Sequence, residues 1–328
     1  MGIKKVLLSA VIKRSSKNSR FLIKYDNKYG SAKLPNEYEL GTEIEISDEK
    51  INDIDFKDDW LKKISSWKNK KYKLLENLSK YKINRLNVIE DGFWENKEGD
   101  KIYYSHILPE EEKEKNIIES HYTESIKSSL LKKESEIHHG FKNLNSSQAF
   151  AFNFFQPIID EDLFHELDTY ATKLTAYEYE KRNDDETQFD FYLESNNLKY
   201  SFEVKYTEDE FGIAPNDYRH MDKWENYYKA KIEAILNEEL AITDFFDEYQ
   251  LWRNICFSEQ GYEVRFVFPK FRNDLAEKVE VAKGKCKENY KKKIKIIYVD
   301  DFIDKMINSN NSNLKKHYEE FKQKYLSI

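Results

Sequence analysis

The sequence predicts an α/β protein in which helices cover both faces of a mixed sheet, with a small β-rich module in front of it. Residues 4–47 alternate between apolar and polar side chains in four short runs separated by turn-prone residues, as β-strands do. From Ile137 onwards the predicted order is helix, three strands, helices, strand, helix and strand. The chain of 328 residues contains 21 Phe and 23 Tyr, which is enough apolar material for a sizeable core.

The chain divides into three predicted segments: a barrel-like β module over residues 1–48, a helical linker region over 49–136 and the main α/β domain over 137–328. The four front strands are predicted at KKVLLSAVIKR, RFLIKY, YGSAKL and TEIEIS. Helical spacing of apolar residues then places Trp60, Leu61, Ile64, Trp67, Leu74 and Leu75 on predicted helices. The polar stretch that follows is predicted to connect the modules with further helical pieces.

In the main domain, NLNSSQAFAFNFFQPI is typical of a buried helix with Ser146 or Ser147 as N-cap and Pro157 as its end. EDLFHELDTYATKL predicts a second helix. Strands are predicted at AYEYEK, QFDFYLES and KYSFEVKY, and helices at DKWENYYKAKIEAILN and DFFDEYQLWRNICFSE. The last predicted elements are strand YEVRFVF, helix NDLAEKVEVAKGKCKENY, strand KIKIIYV and closing helices.

The composition excludes several classes of protein. No run approaches the roughly 18 apolar residues of a membrane-spanning helix. Cys256 and Cys286 are too few for a disulfide framework or a zinc site, and no Gly-rich phosphate loop is present. The net charge of −7 gives no overall basic surface, although nucleic-acid binding needs only a local patch. We therefore predict a cytoplasmic protein without a membrane partner.

The most informative segment is FDFYLESNNLKYSFEVKYTEDEF, residues 189–211. Asn196 and Asn197 both tolerate positive φ, which predicts a two-residue hairpin turn between two strands. Counting back along both strands places Asp190 opposite Glu203, with Cβ atoms about 4.5–5.5 Å apart. Because like charges at that distance destabilise a sheet, the pair indicates that a cation binds between them.

A divalent metal is the economical explanation for this pair. The carboxylates of Asp190 and Glu203 and the carbonyl of Val204 are hard oxygen ligands suited to Mg²⁺, for which Mn²⁺ can substitute. Lys205 follows on the same face as Glu203, beside an attacking water and a scissile phosphate. Such a site lowers the pKa of bound water, polarises the phosphoryl group and neutralises charge in the transition state. The pattern therefore predicts hydrolysis of a phosphodiester.

The order of Asp190 and then Glu203-Val204-Lys205 resembles the PD-(D/E)XK nuclease superfamily. The predicted order of elements after residue 160 agrees with the mixed-sheet core of that restriction-endonuclease-like fold. The resemblance implies a metal-dependent DNA nuclease. It implies that Asp190 and Glu203 are metal ligands and that Lys205 is the catalytic lysine.

Three segments resemble signatures of a family of restriction endonucleases within that superfamily: NLNSSQAFAFNFF, FEVKYTE and YQLWRN. They cover roughly residues 137–260. The resemblance implies structural or active-site support from Gln148, Gln250 and Arg253, which stand at the matching positions. Residues 1–48 do not resemble the family.

The catalytic residues have plainer interpretations as well. Glu203 and Lys205 could belong to an exposed, salt-bridged hairpin, since Glu-x-Lys recurs elsewhere in so charged a chain. Asp184 or Asp185 could replace Asp190, although both precede the predicted strand. The upstream aspartate in register and the companion signatures favour the catalytic interpretation.

The other candidate residues also have structural interpretations. Glu178 is either a third metal ligand or an ordinary strand residue, and the ordinary interpretation is favoured. For Arg253 the functional interpretation is that it binds a phosphate or orients a carboxylate of the site. The alternative is a structural ion pair. Residues His138 and His139 form a pair with little prospect of a shared site. The lysines from 283 to 295 either contact a DNA backbone or form a solvated surface, which is the more frequent case.

The sequence thus predicts a magnesium-dependent DNA endonuclease of bacterial restriction or anti-phage defence. It acts as a homodimer or with a defence-system partner protein. One alternative is a catalytically silent nucleic-acid-binding or assembly protein on the same fold, against which the intact Asp190, Glu203 and Lys205 argue. The other is an RNA nuclease, because the metal site acts on the phosphate and does not contact the sugar.

Overall fold

The computed structural model describes the chain except for residues 1–2, 15–17, 27, 36–42, 55–66, 97–98, 134–136, 168–169, 184–186 and 328. The helical residues predicted at 60, 61 and 64 and the alternative aspartates at 184 and 185 lie outside the described residues. The chain forms two compact units: Met1–Asn116 with His139–Ser146 and Gln323–Ile328, and Ile117–His138 with Ser147–Lys322. The predicted segment boundaries at residues 48 and 136 remain predictions.

The first unit begins with a four-stranded antiparallel sheet in the order β3-β2-β1-β4. Its strands are β1 (Ile3–Arg14), β2 (Asn18–Tyr25), β3 (Lys28–Pro35) and β4 (Glu43–Ser47). Val6, Ile23, Leu34 and Ile46 are buried together in its small core, as the alternation of apolar and polar residues requires. The predicted β-rich front module is confirmed.

The remainder of the first unit contains helices, as predicted, and a short hairpin that was not predicted. Its elements are α1 (Asp48–Asn52), α2 (Trp67–Asn84), β5 (Gly92–Glu95), β6 (Lys101–Tyr104) and two 3₁₀ helices (Glu110–Asn116 and His139–Lys142). Each hairpin strand has only four residues, too few for period-two alternation to stand out in a polar stretch. Gly92 is required there, because a Cβ atom would lie 2.0 Å from the carbonyl oxygen of Leu108.

The second unit is built on a five-stranded mixed sheet in the order β11-β10-β9-β8-β7. Its strands are β7 (Leu174–Arg182), β8 (Gln188–Ser195), β9 (Leu198–Val204), β10 (Tyr262–Phe268) and β11 (Ile294–Tyr298). Strands β7, β8 and β9 are antiparallel, whereas β9, β10 and β11 are parallel to one another. The predicted mixed sheet is therefore confirmed, with β9 at the change of direction.

Helices flank this sheet. They are α3 (Thr123–Leu131), α4 (Ser147–Asp160), α5 (Phe164–Leu167), α6 (Tyr218–Lys223), a π-helical segment (Trp224–Tyr228), α7 (Lys229–Ile235), α8 (Ile242–Asp247), α9 (Tyr249–Cys256), α10 (Asn273–Lys285), α11 (Glu288–Lys291), α12 (Val299–Ile307) and α13 (Ser312–Tyr325). Phe155 of α4 packs on Phe191 and Phe202, with ring centroids 4.2 and 5.2 Å apart. None of the described helices is long and apolar enough to cross a membrane.

The two phenylalanines that flank Asp190 in β8 pack against different rings. Phe191 stacks on Phe155, whereas Phe189 packs against Phe257, with ring centroids 4.5 Å apart. The two rings therefore belong to different contacts on either side of the candidate ligand.

The predicted end of α4 at Pro157 is wrong, because the helix continues to Asp160. Proline lacks an N–H group, so the carbonyl of Asn153 loses its helical partner. The Nε2 atom of His317 donates to that carbonyl at 2.8 Å, and its Nδ1 atom lies 2.8 Å from Ser120 Oγ. This distant imidazole offsets the lost bond. The helix predicted next is also shorter than expected, because α5 has four residues.

Candidate active site

The predicted hairpin turn is confirmed. Asn196 and Asn197 have φ angles of 52° and 66°, the left-handed conformation that a two-residue turn requires at both central positions. Ser195 pairs with Leu198 across the turn, as predicted. The turn sets the register of both strands, because each further pair lies one residue earlier on β8 and one residue later on β9.

The register brings Asp190 and Glu203 to neighbouring positions of β8 and β9. Pairing runs from the turn to Phe191 and Phe202, so the next position on each strand is Asp190 and Glu203. The Asp190 Oδ2 atom accepts a hydrogen bond from the backbone N–H of Val204 at 2.6 Å. This bond ties the Asp190 carboxylate to the end of β9.

Strand β7 adds a third carboxylate, Glu180, that sequence reasoning missed. Because Tyr179 pairs with Phe191, the next position places Glu180 opposite Asp190. Glu180 is 3% exposed and has a φ of 47°, which is rare for a residue other than glycine. Three neighbouring strands therefore contribute one carboxylate each: Glu180 from β7, Asp190 from β8 and Glu203 from β9. Only the pairing of β7 with β8 could have revealed Glu180, since AYEYEK alone does not distinguish it from Glu178.

The carboxyl group of Asp190 is strongly perturbed. Burial raises its pKa well above the usual range, and the negative charges of Glu203 and Glu180 raise it further. Lys205 and the Val204 N–H group act in the opposite direction and offset only part of this effect. The position of Asp190 therefore favours a neutral carboxyl group or a bound cation.

Glu203 and Lys205 form a buried ion pair. Their side chains are 3% and 6% exposed, and Lys205 Nζ lies 2.8 Å from Glu203 Oε1. Glu203 pairs with Phe266 of β10, whose ring belongs to the core cluster that also contains Leu251 of α9. The alternative of an exposed hairpin is therefore wrong, because this face of the sheet is covered. Lys205 therefore places a positive charge beside one of the two carboxylates.

The pKa shifts of this pair indicate that both groups are charged. Burial alone would raise the pKa of Glu203, but the charges of Lys205 and Arg253 outweigh it and the pKa is lowered. Burial alone would lower the pKa of Lys205, but the negative charges of Glu203, Glu208 and Asp190 outweigh it and the pKa is raised. The site thus holds a carboxylate and an ammonium group away from solvent.

Helix α9 supports the ion pair with three side chains on one face. Gln250, Arg253 and Asn254 follow the spacing of residues that lie together on a helix. Gln250 Oε1 accepts from Lys205 Nζ at 2.7 Å, and Arg253 Nη2 lies 3.4 Å from Glu203 Oε2. Asn254 Nδ2 donates to the same Glu203 oxygen at 2.8 Å. Asn254 was missed, although its position four residues after Gln250 is a signal that could have found it.

Gln148 binds Glu180, whereas Glu178 lies elsewhere. The Oε1 atom of Gln148 accepts from the backbone N–H of His138 at 2.9 Å, and its Nε2 atom donates to Glu180 Oε1 at 2.9 Å. His138 Nε2 is 4.0 Å from the other Glu180 oxygen. Glu178 instead forms an ion pair with Lys133 at 2.6 Å. The structure therefore places Gln148, and not Glu178, in contact with the carboxylate group.

Four lysines between residues 283 and 295 have partners within the protein. Lys283 pairs with Glu280 and Lys291 with Glu288, while Lys287 donates to the carbonyls of Glu233 and Ala234 and Lys293 donates to that of Ser258. These contacts favour the structural interpretation of the segment. His139 packs against Trp94 and does not line the cavity described next.

The carboxylates and the ion pair line an open cavity of about 730 Å³. Its charged lining residues are Glu180, Asp190, Glu203, Lys205, Glu208, Asp209, Glu210, Arg219, His220, Lys223 and Arg253, together with His138. The acidic residues come from the strands and from the loop after β9, whereas Arg219, His220, Lys223 and Arg253 come from α6 and α9. Gln250 also lines the cavity. The cavity therefore has an acidic side and a basic side.

A family model described as "Restriction Endonuclease associating with ARP" matches residues 75–326, about three quarters of the chain. The chain belongs to this family. No curated protein and no solved structure is significantly similar to this chain. The matched range includes the whole five-stranded sheet and the cavity, whereas the four-stranded front sheet lies outside it.

The oxygen atoms around Asp190 and Glu203 suit a hard divalent cation. Asp190 and Glu203 supply carboxylates, Val204 supplies a carbonyl, and such ligands bind Mg²⁺ while leaving room for water and phosphate oxygens. Burial raises the pKa of Asp190, the negative charges of Glu203 and Glu180 raise it further, and a cation would offset this by stabilising the carboxylate. Within the described ranges, no group of three or more His, Cys, Asp or Glu side chains is arranged to hold a metal ion.

Proposed function

We propose that this restriction endonuclease is a metal-dependent enzyme of PD-(D/E)XK type that hydrolyses phosphodiester bonds of DNA. The observation that carries the proposal is the buried Glu203–Lys205 ion pair beside Asp190 on the lining of an open cavity. Burying an ion pair costs desolvation energy, and a hydrophobic pair of similar size would often be as stable. A function for the charges accounts for that cost.

In the proposed mechanism, Asp190, Glu203 and the Val204 carbonyl hold Mg²⁺ or Mn²⁺. When bound, such a cation lowers the pKa of water and polarises a phosphoryl oxygen. Lys205 is held by two partners, Glu203 Oε1 at 2.8 Å and Gln250 Oε1 at 2.7 Å. Because Gln250 holds the ammonium group independently of Glu203, Lys205 would keep its orientation with a cation bound by the carboxylates. Its positive charge would stabilise the negative charge that develops on the phosphate in the transition state.

The residues around the ion pair orient it. Arg253 and Asn254 both contact Glu203 Oε2, which fixes the carboxylate with its other oxygen towards Lys205. Gln148 fixes Glu180 by a hydrogen bond of 2.9 Å. These residues position the catalytic groups, so their loss should reduce activity less than loss of Lys205.

The proposed biological setting is restriction or anti-phage defence in the cytoplasm. The family description names an association with ARP, which supports a partner protein in addition to DNA. A homodimer is the alternative assembly. The intact Asp190, Glu203 and Lys205 argue against a catalytically silent protein, which has no need to keep all three.

The test is incubation of the purified full chain with plasmid, single-stranded DNA and RNA, in Mg²⁺, Mn²⁺ and EDTA. We expect DNA cleavage in either metal, no cleavage in EDTA and loss of cleavage in Glu203→Gln. The matched control is Glu194→Gln, which changes the same residue type near the turn of the same hairpin, opposite Lys199. Cleavage of RNA alone would overturn the substrate assignment. The absence of any cleavage in metal would favour the binding or assembly protein.

A further inference from the structure

Helix α6 supplies three residues to the lining of the cavity, while Met221 on the same helix packs against the core without being fully buried. Arg219, His220 and Lys223 line the cavity, and no side chain of the helix is buried. Asp217 fixes the start of the helix, because its Oδ1 atom accepts from the His220 N–H at 2.9 Å and lies 2.7 Å from His220 Nδ1. Met221 and the ring of His220 therefore attach the helix to the core, and Arg219 and Lys223 are left on its exposed side, where they line the cavity.

The segment after α6 anchors it in an unusual way. Residues Trp224–Tyr228 form a π-helix, a rare conformation that is frequent at functional sites. Trp224 and Tyr228 are buried and pack on Phe245, with ring centroids 4.8 and 5.2 Å apart. The aromatic anchors hold the π-helix, and the π-helix in turn holds the exposed helix α6 beside the cavity.

Two apolar side chains are exposed next to these basic residues. Tyr218, the first residue of α6 and the neighbour of Arg219, is 87% exposed. Ile213 is 67% exposed and lines the cavity itself. A single exposed apolar residue is normal on a protein surface. Here, however, Ile213 lines the cavity and Tyr218 directly precedes Arg219, which also lines it, in a site proposed to bind nucleic acid.

This combination is the one that proteins use to bind single-stranded nucleic acid. Cationic side chains contact the backbone, and aromatic rings stack on the faces of bases. A fully paired duplex offers no free base face, because its bases are stacked on one another. The acidic side of the cavity, which includes Glu208, Asp209 and Glu210, repels phosphates and leaves the α6 side for the backbone.

We infer that α6 binds the substrate strand, with Arg219 and Lys223 on backbone phosphates and Tyr218 stacked on an unpaired base. The cavity then takes DNA in which at least one base near the scissile phosphate is unstacked, such as a single strand or an opened duplex. This inference rests on the proposed nuclease function and names the substrate class of the same site.

The test measures binding of a labelled oligonucleotide to the full chain by fluorescence anisotropy, as a single strand and as a fully paired duplex, in EDTA and in Ca²⁺. Wild type should bind the single strand more tightly. Tyr218→Ala should weaken that binding by at least about 5-fold, the lower end of what base stacking contributes, while Tyr218→Phe retains it. The matched control is Tyr227→Ala, because Tyr227 is 41% exposed in the adjoining π-helix but has no lining residue beside it in the chain, whereas Tyr218 directly precedes Arg219.

The phosphate contacts have their own readout. Arg219→Ala should weaken binding to every sequence and reduce the salt dependence, the slope of log K against log salt, by about 1. Lys229→Ala is the control, because Lys229 pairs with Glu225 at 3.0 Å and lies outside the cavity lining. It should leave the slope unchanged.

Each variant is also assayed for cleavage of both oligonucleotides, so that weak binding does not hide an effect. Equal binding and cleavage by Tyr218→Ala and wild type would overturn the inference, and would favour a protein contact for this tyrosine. A wild-type preference for the paired duplex would overturn it as well. In both cases metal-dependent cleavage by wild type would leave the proposed function intact. A wild type that neither binds nor cuts either form contradicts the proposed function itself.

Discussion

Replacing Asp190 with Asn should stabilise the metal-free protein, although it removes a proposed metal ligand. The Asp190 carboxylate accepts one hydrogen bond, from the Val204 N–H at 2.6 Å, and the amide oxygen of Asn can accept the same bond. Its other main neighbours are the carboxylates of Glu203 and Glu180, which add to burial in raising its pKa. Asn therefore keeps the contact and removes the repulsion.

The expected change in the free energy of unfolding can be worked out from the charges of these neighbours. Two like charges about 5 Å apart repel by roughly 3 kcal/mol at the effective dielectric constant of about 20 that suits protein sites. The attraction of Lys205 offsets about one of the two repulsions on Asp190, and the weaker hydrogen bond of a neutral acceptor costs about 1 kcal/mol. The variant should be more stable by about 2 kcal/mol. That difference raises Tm by roughly 4–8 °C in a domain of 150–250 residues.

The effect should depend on pH. The pKa of Asp190 in the fold is raised above the value of about 3.9 in an unfolded chain, so the wild type loses stability as pH rises from about 4 through the raised pKa. The Asn variant has no such loss, and its advantage should grow from near zero at pH 4. Thermal unfolding in EDTA between pH 4 and pH 9 measures this difference.

The control for removal of a carboxylate charge is Asp304→Asn. Asp304 is 59% exposed and pairs with Lys322, and breaking such a surface pair changes stability by at most about 1 kcal/mol. Added Mg²⁺ should raise the Tm of wild type and leave that of Asp190→Asn unchanged. A metal-free Asp190→Asn protein that is clearly less stable than wild type at neutral pH would refute the reasoning. Asp190 would then be stabilised mainly by Lys205.

Three further predictions follow from the structure. Lys205→Ala should retain DNA binding but lose at least about 100-fold in single-turnover cleavage, since it removes a charge that acts in the transition state. Asn254→Ala should weaken Mg²⁺ binding by roughly 10–100-fold in a thermal-shift titration. The reason is that the Glu203 carboxylate loses the hydrogen bond from Asn254 that orients it. His106→Phe should make stability less sensitive to acid between pH 7 and pH 5 in equilibrium unfolding. Burial and two nearby lysine charges lower the pKa of His106 to about 3, so below about pH 6.5 only the unfolded wild-type chain takes up this proton.

Each of these predictions has a control or a contradicting outcome. Lys199→Ala changes an exposed lysine of the same hairpin and should cut as wild type does. Near wild-type cleavage by Lys205→Ala would mean that the lysine is structural. Unchanged Mg²⁺ affinity in Asn254→Ala would mean that Lys205 and Arg253 are sufficient to orient the Glu203 carboxylate for metal binding. Parallel stability curves for wild type and His106→Phe would contradict a neutral, protected imidazole.

The hairpin could be predicted from the sequence because its determinants are local. Asn196 and Asn197 are adjacent, and the two strands that they connect pair by counting from the turn. The hairpin segment alone was therefore enough to predict that Asp190 and Glu203 lie next to each other. Local alternation could not predict that the polar face of the hairpin is covered, because the residues that cover it belong to α9, more than forty positions later.

The missed residues depend on contacts between distant segments or on backbone geometry. Glu180 joins the site through the pairing of β7 with β8 and through a positive φ that AYEYEK does not signal. The continuation of α4 past Pro157 depends on His317, which reaches the Asn153 carbonyl from the far end of the domain. Asn254 differs, since helical spacing from Gln250 alone could have indicated it.

A metal-dependent phosphodiesterase site formed by Asp190, Glu203 and Lys205 is tested most directly by the rate of plasmid cleavage. Wild type is assayed in Mg²⁺, after chelation by EDTA, and after readdition of Mg²⁺ to the chelated sample. We expect cleavage in Mg²⁺, none in EDTA and full recovery on readdition. Cleavage at the same rate in EDTA would contradict a metal-dependent site.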